Sequence, residues 1–164
     1  MGLITKSLGM ELDMEAATAR RCIERFKDDQ LGWKPHAKSM SVGQLISHLA
    51  EIPAWAVPTF AQDELTLDNY VAPNHTTVVE VLAAFDASVA AAKEALASAD
   101  EATFGDSWSL VAGGHKIFTM PRAAVMRAFV LSHFIHHRGQ LSVYLRLLDI
   151  PVPSIYGPTA DESM

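Results

Sequence analysis

The stretch Ser132–Leu141, SHFIHHRGQL, puts histidines at 133, 136 and 137 into what is otherwise a long apolar run. Around it Met126, Val130, His133, His137, Gln140 and Tyr144 follow one another at steps of four, three, four, three and four. Residues so spaced share one stripe of an α-helix. Pro121 marks the start of this helix, where its missing N–H costs nothing, and Pro151 places the end at about Asp149. A helix whose only task is packing has little use for histidine at this density.

Side chains four apart on a helix lie about 5–6 Å apart at Cβ, close enough for two imidazoles to converge on one ion. His133 and His137 have that spacing. His136 points about 100° away from His137, so it is the alternative partner rather than a third member of the same stripe. A pair of core histidines without an ion is the competing reading. Two mechanisms are excluded. HFIHH lacks the glutamate of the H-E-x-x-H protease motif, and the chain contains no Glu-x-x-His of the di-iron carboxylate bundles.

Working outward, the segment Leu8, Leu12, Ala16, Ala19, Ile23, Phe26 is an amphipathic helix of about five turns, with Glu11, Glu15, Arg20 and Lys27 off its core face. Cys22 beside that face reads as a small buried hydrophobe. Gly32 and Pro35 then make a loop, in which Trp33 folds back on the core and His36 is solvated. A second helix opens at the capping box Ser41–Gln44, carries Leu45, His48, Leu49 and Ile52 inward, and is kinked or ended by Pro53 and Pro58. His48 is the polar member of that stripe and a candidate third ligand; Glu51, three residues on, is a candidate base or fourth ligand. The mixed segment from Asp63 to Asn74 reads as a long connection, with His75 exposed at its end. A third helix follows the capping box Thr77–Glu80 and packs through Val78, Val81, Leu82, Phe85, Val89, Ala92 and Leu96. Periodicity is lost from Asp100 to Thr119, where Gly113-Gly114 suggests a small hairpin or looped excursion, with His115 as a turn residue. The expected fold is all-α, one domain over residues 1–164, with that excursion before the last helix.

Composition limits the function. Thirteen Lys plus Arg against nineteen Asp plus Glu give a net charge of −6, and no basic run offers a nucleic-acid surface. A single cysteine cannot form an internal disulfide, no apolar leader opens the chain, and no stretch has the length of a membrane span. The expected setting is cytoplasmic, with a small-molecule substrate and neither nucleic acid nor membrane as partner. Three neutral imidazoles from His48, His133 and His137 would leave coordination positions open, the arrangement of a catalytic rather than a structural ion. Such an ion could activate water or a thiol, or polarise a carbonyl.

The combination of SVGQLISHLAEI (Ser41–Ile52), HFIHHRGQL (His133–Leu141) and GWKP (Gly32–Pro35) resembles the DinB/YfiT-like family of metal-binding four-helix bundles over nearly the whole chain. The resemblance implies an up-down-down-up bundle, often a homodimer, with a divalent ion on one histidine of the second helix and an H-x-x-x-H pair of a later one. By motif these are His48, His133 and His137. Zinc or nickel is the ion implied first, with iron or manganese as alternatives. Some relatives look like transferases or isomerases that use low-molecular-weight thiols. The leading functional expectation is therefore a metalloenzyme that activates a thiol or water for attack on a small electrophile, with Glu51, Gln140 and Tyr156 as candidate catalytic residues. Tyr156, on a proline-rich tail, is expected near the pocket mouth. The alternatives are a metal-dependent hydrolase using Glu51 as base, and a non-catalytic dimeric stress-response or binding module with a structural metal.

Overall fold

Helix α1, Leu3–Ile23, turns Leu8, Leu12, Ala16, Ala19 and Ile23 inward, as their spacing predicts. These facts come from a computed structural model that describes residues 2–163. One residue departs from the expected pattern: Glu15 is buried and paired with Arg138 of the last helix. The reason is that α1 packs on two neighbours, the helices Val78–Ser98 and His133–Leu147, so its covered arc is wider than a single apolar stripe. Cys22 is fully buried, and loss of solvation pushes its thiol up to about 11.

Helix α2, Val42–Glu51, begins with the capping box read from sequence. The Gln44 N–H donates to Ser41 Oγ at 3.2 Å, and the Ser41 N–H donates to Gln44 Oε1 at 2.9 Å. The preceding loop is pinned beneath it: Gly43 N–H donates to the Leu31 carbonyl at 2.9 Å, and a Cβ at Gly43 would meet that oxygen at 3.1 Å. Pro53 ends α2 as expected. A 3-10 turn, Ile52–Trp55, leads into α3, Ala56–Ala61, which holds Pro58 in its first turn, where no helical hydrogen bond is lost. The Ala54 N–H in the break donates to Ser88 Oγ of α4 at 2.8 Å.

Helix α4, Val78–Ser98, is capped by Thr77 and Glu80 and buries Val78, Val81, Phe85, Ala92 and Leu96. The last helical run extends from Arg122 to Leu147: α5, Arg122–Ala124; a π-helical segment, Val125–Ser132; and α6, His133–Leu147. It stops where Asp149 adopts φ 54° and the Ile150 N–H returns to the Leu145 carbonyl at 2.9 Å. Helices α1 and α2 each pack against both α4 and α6, which encloses the main core.

The fold is mainly helical but not all-α, which corrects the sequence expectation. Strands β2, Ser107–Ala112, and β3, His115–Pro121, form the expected hairpin, and Gly113 and Gly114 turn it at φ 57° and 73°, which favours glycine at both positions. The strand not foreseen is β1, Glu64–Thr66, which pairs in parallel with β2 and completes a three-stranded sheet in the order β1-β2-β3. Three residues are too few to show an alternating pattern, and their partner lies far off in sequence. The sheet covers a second, smaller core of Trp108, Leu110 and Val125, against which Trp55, Leu65 and Phe129 pack. His75 is half-buried rather than exposed, and its N–H donates to Ser47 Oγ at 3.1 Å.

Candidate metal centre

Two separate helix starts bring the three histidines together. His48 lies two turns into α2, whose register is set by the Ser41–Gln44 box, while His133 opens α6 directly after the π-helical segment. His48 Nε2 is 3.2 Å from His133 Nε2, and His133 Nε2 is 2.9 Å from His137 Nε2. One potential ligand atom from each residue lies within 4.8 Å of the others. Tetrahedral coordination with Zn–N bonds of about 2.0–2.1 Å puts neighbouring nitrogens about 3.3 Å apart, so the donor set matches a single small ion.

The outward-facing ring atoms are also held. His48 Nδ1–H donates to Glu51 Oε1 at 2.6 Å, and His137 Nδ1–H donates to Gln140 Oε1 at 2.8 Å. The Phe129 backbone, inside the π-helical segment, favours the protonated His133 ring and partly opposes its burial. With their protons on the outer nitrogens, His48 and His137 turn Nε2 lone pairs toward His133 Nε2. Burial and the neighbouring rings push His133 below the ordinary histidine range. Burial, partly offset by the Gln140 hydrogen bond, brings His137 down to about 4. Both are therefore neutral at ordinary pH, the form that binds a metal.

His136 is exposed and stacks edge-on against His137 at 4.9 Å between ring centroids, outside the converging set. Of the candidate catalytic residues, Glu51 and Gln140 touch the clustered histidines directly. Tyr156 does not: its hydroxyl donates to Glu15 Oε1 at 2.7 Å and its ring lies over the Arg138 guanidinium. His36 and His115 are exposed in loop and strand.

Sequence reasoning missed Tyr70. Its hydroxyl donates to Glu51 Oε1 at 2.5 Å, so one carboxylate oxygen receives both Tyr70 and His48. Burial, together with that bond, pushes the Tyr70 pKa up, which keeps the hydroxyl protonated as a donor. The signal available was weak: a tyrosine in a connection longer than packing requires. Phe129 was also missed, although it lies four residues before His133; its ring is 5.8 Å from His133 and 4.8 Å from Trp55.

Comparison with known proteins agrees with this fold. The fold is similar to the crystal structure of a DinB-like protein from Bacillus cereus, with a TM-score of 0.71 and 19% identity over 92% of this chain and 97% of that one. It is also similar to the DinB-like protein YjoA from Bacillus subtilis, with a TM-score of 0.67 and 18% identity over 96% and 99% of the two chains. A 43-residue segment is 42% identical to YrdA of Bacillus subtilis; the match spans 26% of this chain and only 25% of that protein's length. The sequence pattern of the DinB family matches residues 6–164, and the chain belongs to that family.

Proposed function

We propose that this protein is a mononuclear metalloenzyme in which His48, His133 and His137 hold a divalent ion, zinc or nickel foremost. The observation that carries the reading is the convergence of three Nε2 atoms, with the outer ring nitrogens of His48 and His137 already engaged. When bound, such an ion supplies acidity to a thiol or water and polarises a small electrophile. The chain's own groups orient the ligands. Glu51 fixes the His48 ring and is itself steadied by Tyr70, while Gln140 fixes His137. The aromatic wall of Phe129 and Trp55 keeps the His133 side partly dry.

The reaction class that fits best is transfer or isomerisation with a low-molecular-weight thiol as cosubstrate. The hydrolase alternative asks Glu51 to act as base, and Glu51 Oε1 already accepts two hydrogen bonds, which favours a positioning role. The proposal includes the up-down-down-up helix course and a homodimer, the latter checked by sedimentation.

The test starts from protein purified without a histidine tag. Elemental analysis should find close to one divalent ion per chain, and His137→Ala should lose it. Thiol conjugation screened with bacillithiol, mycothiol and glutathione should then depend on the ion. Uptake of metal without any turnover, and with partner binding intact after chelation, would favour the non-catalytic binding module.

A further inference from the structure

We propose that the cavity between the Lys34–Met40 loop and α2 is an anion subsite, built to take the carboxylate of the small molecule that reacts at the metal centre. The proposal rests on the metal reading above and adds the charge of the ligand. The cavity measures about 620 Å³ and is lined by Lys34, Lys38, Gln44 and His48 on one side and by Ala72–Asn74 on the other. His48 is the wall that it shares with the histidine cluster, since the same ring reaches His133.

Three observations set its chemistry. No Asp or Glu lines the cavity, although the chain carries six more acidic than basic side chains. Lys34 and Lys38 form no ion pair among the described residues, like Lys6, Lys27 and Lys116, whereas all seven arginines do. Gln44 spends its carbonyl oxygen on the Ser41 N–H, which leaves its amide N–H groups to donate. Ser39 and Asn74 can donate or accept, but the two lysines are the cations of the lining and no carboxylate opposes them, so the charge complement is an anion.

The loop that carries the lysines is held in place at both ends. Trp33 packs edge-on against Tyr144 at 5.6 Å, the Tyr144 hydroxyl donates to the Met40 carbonyl at 3.1 Å, and the Ser39 N–H donates to the His36 carbonyl at 2.9 Å. The opposite wall is tied to α2 through the His75 N–H and Ser47. Two cations are thus presented beside a metal ligand by a loop anchored to α6.

The experiment uses untagged protein loaded with cobalt(II) and compares 3-mercaptopropionate with the neutral 2-mercaptoethanol, read by the thiolate-to-cobalt absorption band. The carboxylate thiol should bind more tightly, and Lys34→Ala/Lys38→Ala should weaken it by about tenfold, with 2-mercaptoethanol unaffected and cobalt stoichiometry retained. The preference should also shrink with added salt. Equal binding of the two thiols, or a preference that survives removal of both lysines, overturns the subsite. Failure to take up cobalt breaks the metal reading instead. A metal-free arm keeps the two apart: glutarate should shift the Gln44 side-chain amide resonances of the apo-protein, and in the double lysine variant it should not. A Gln44 amide unmoved by glutarate counts against the subsite whatever the metal result.

Discussion

His137 and Arg138 are neighbours in sequence, yet they point about 100° apart and serve two different polar clusters inside the same helical body. Arg138, on the α1 side, meets the Glu15 carboxylate, which also receives the Tyr156 hydroxyl, while the Tyr156 ring covers the guanidinium at 4.7 Å. Charge there balances, and Arg138 Nε is the one side-chain atom of the cluster left buried without a partner. On the other side His137 meets His133 and His48, and the three rings turn their Nε2 atoms toward one another. The first cluster is balanced in charge, though one N–H is left unpaired. The second gathers three nitrogens that could hold a metal ion. A buried polar group thus says little about function until its neighbours' charges and donors are counted.

The largest expected effect breaks the closed side. Arg138→Met leaves Glu15 buried without its cation, and urea denaturation should show a loss of about 3–5 kcal/mol. A neutral result would mean that the pair is not structural and would remove the contrast. On the open side, the metal-free His137→Ala variant should lose far less, because it takes away one of three crowded imidazoles. Metal should separate the two regions further. At an ion concentration a hundredfold above Kd the wild-type protein should gain about 2.7 kcal/mol by thermal or urea unfolding, and His137→Ala should gain nothing. A smaller effect comes from the groups behind the ligands. Gln140→Ala or Tyr70→Phe should lower metal affinity by roughly 10- to 100-fold at most, measured by chelator competition, with stoichiometry unchanged.

The open cluster was the more legible of the two in the sequence. A four-residue histidine spacing and one histidine in an apolar stripe are local patterns, and both survive in the structure. The capping boxes at Ser41 and Thr77 and the glycine pair at 113 and 114 were equally local, and helices and hairpin begin or turn where they predict. What could not be read depends on partners far along the chain. Glu15 looks like a solvated helix residue until α6 is packed beside it. Strand β1 exists because β2 offers it a free edge. Tyr70 acquires meaning only when its loop folds over Glu51. The π-helical turns before His133 leave no mark in hydrophobic spacing, since Met126 and Val130 are buried in either geometry.

The smallest effect tests how dry the closed side is. Cys22 lies fully buried, and desolvation lifts its thiol to about 11 even though Arg138, Arg21 and Arg25 all pull it down. In the unfolded chain the same thiol titrates near its ordinary value of about 8.5. The folded state therefore holds its proton longer, so its contribution to stability is whole below about 8.5 and declines as pH rises toward about 11. Unfolding measured from pH 8 to pH 11 should show this alkaline decline in wild type, and its slope should be shallower in Cys22→Ala. Alkylation should follow the same logic: a thiol reagent at pH 8 should react with Cys22 only at the rate of unfolding, and Arg138→Met should speed that reaction by destabilising the fold. Rapid labelling of the native wild-type protein would show that water reaches this side, and the two clusters would then differ in charge balance alone.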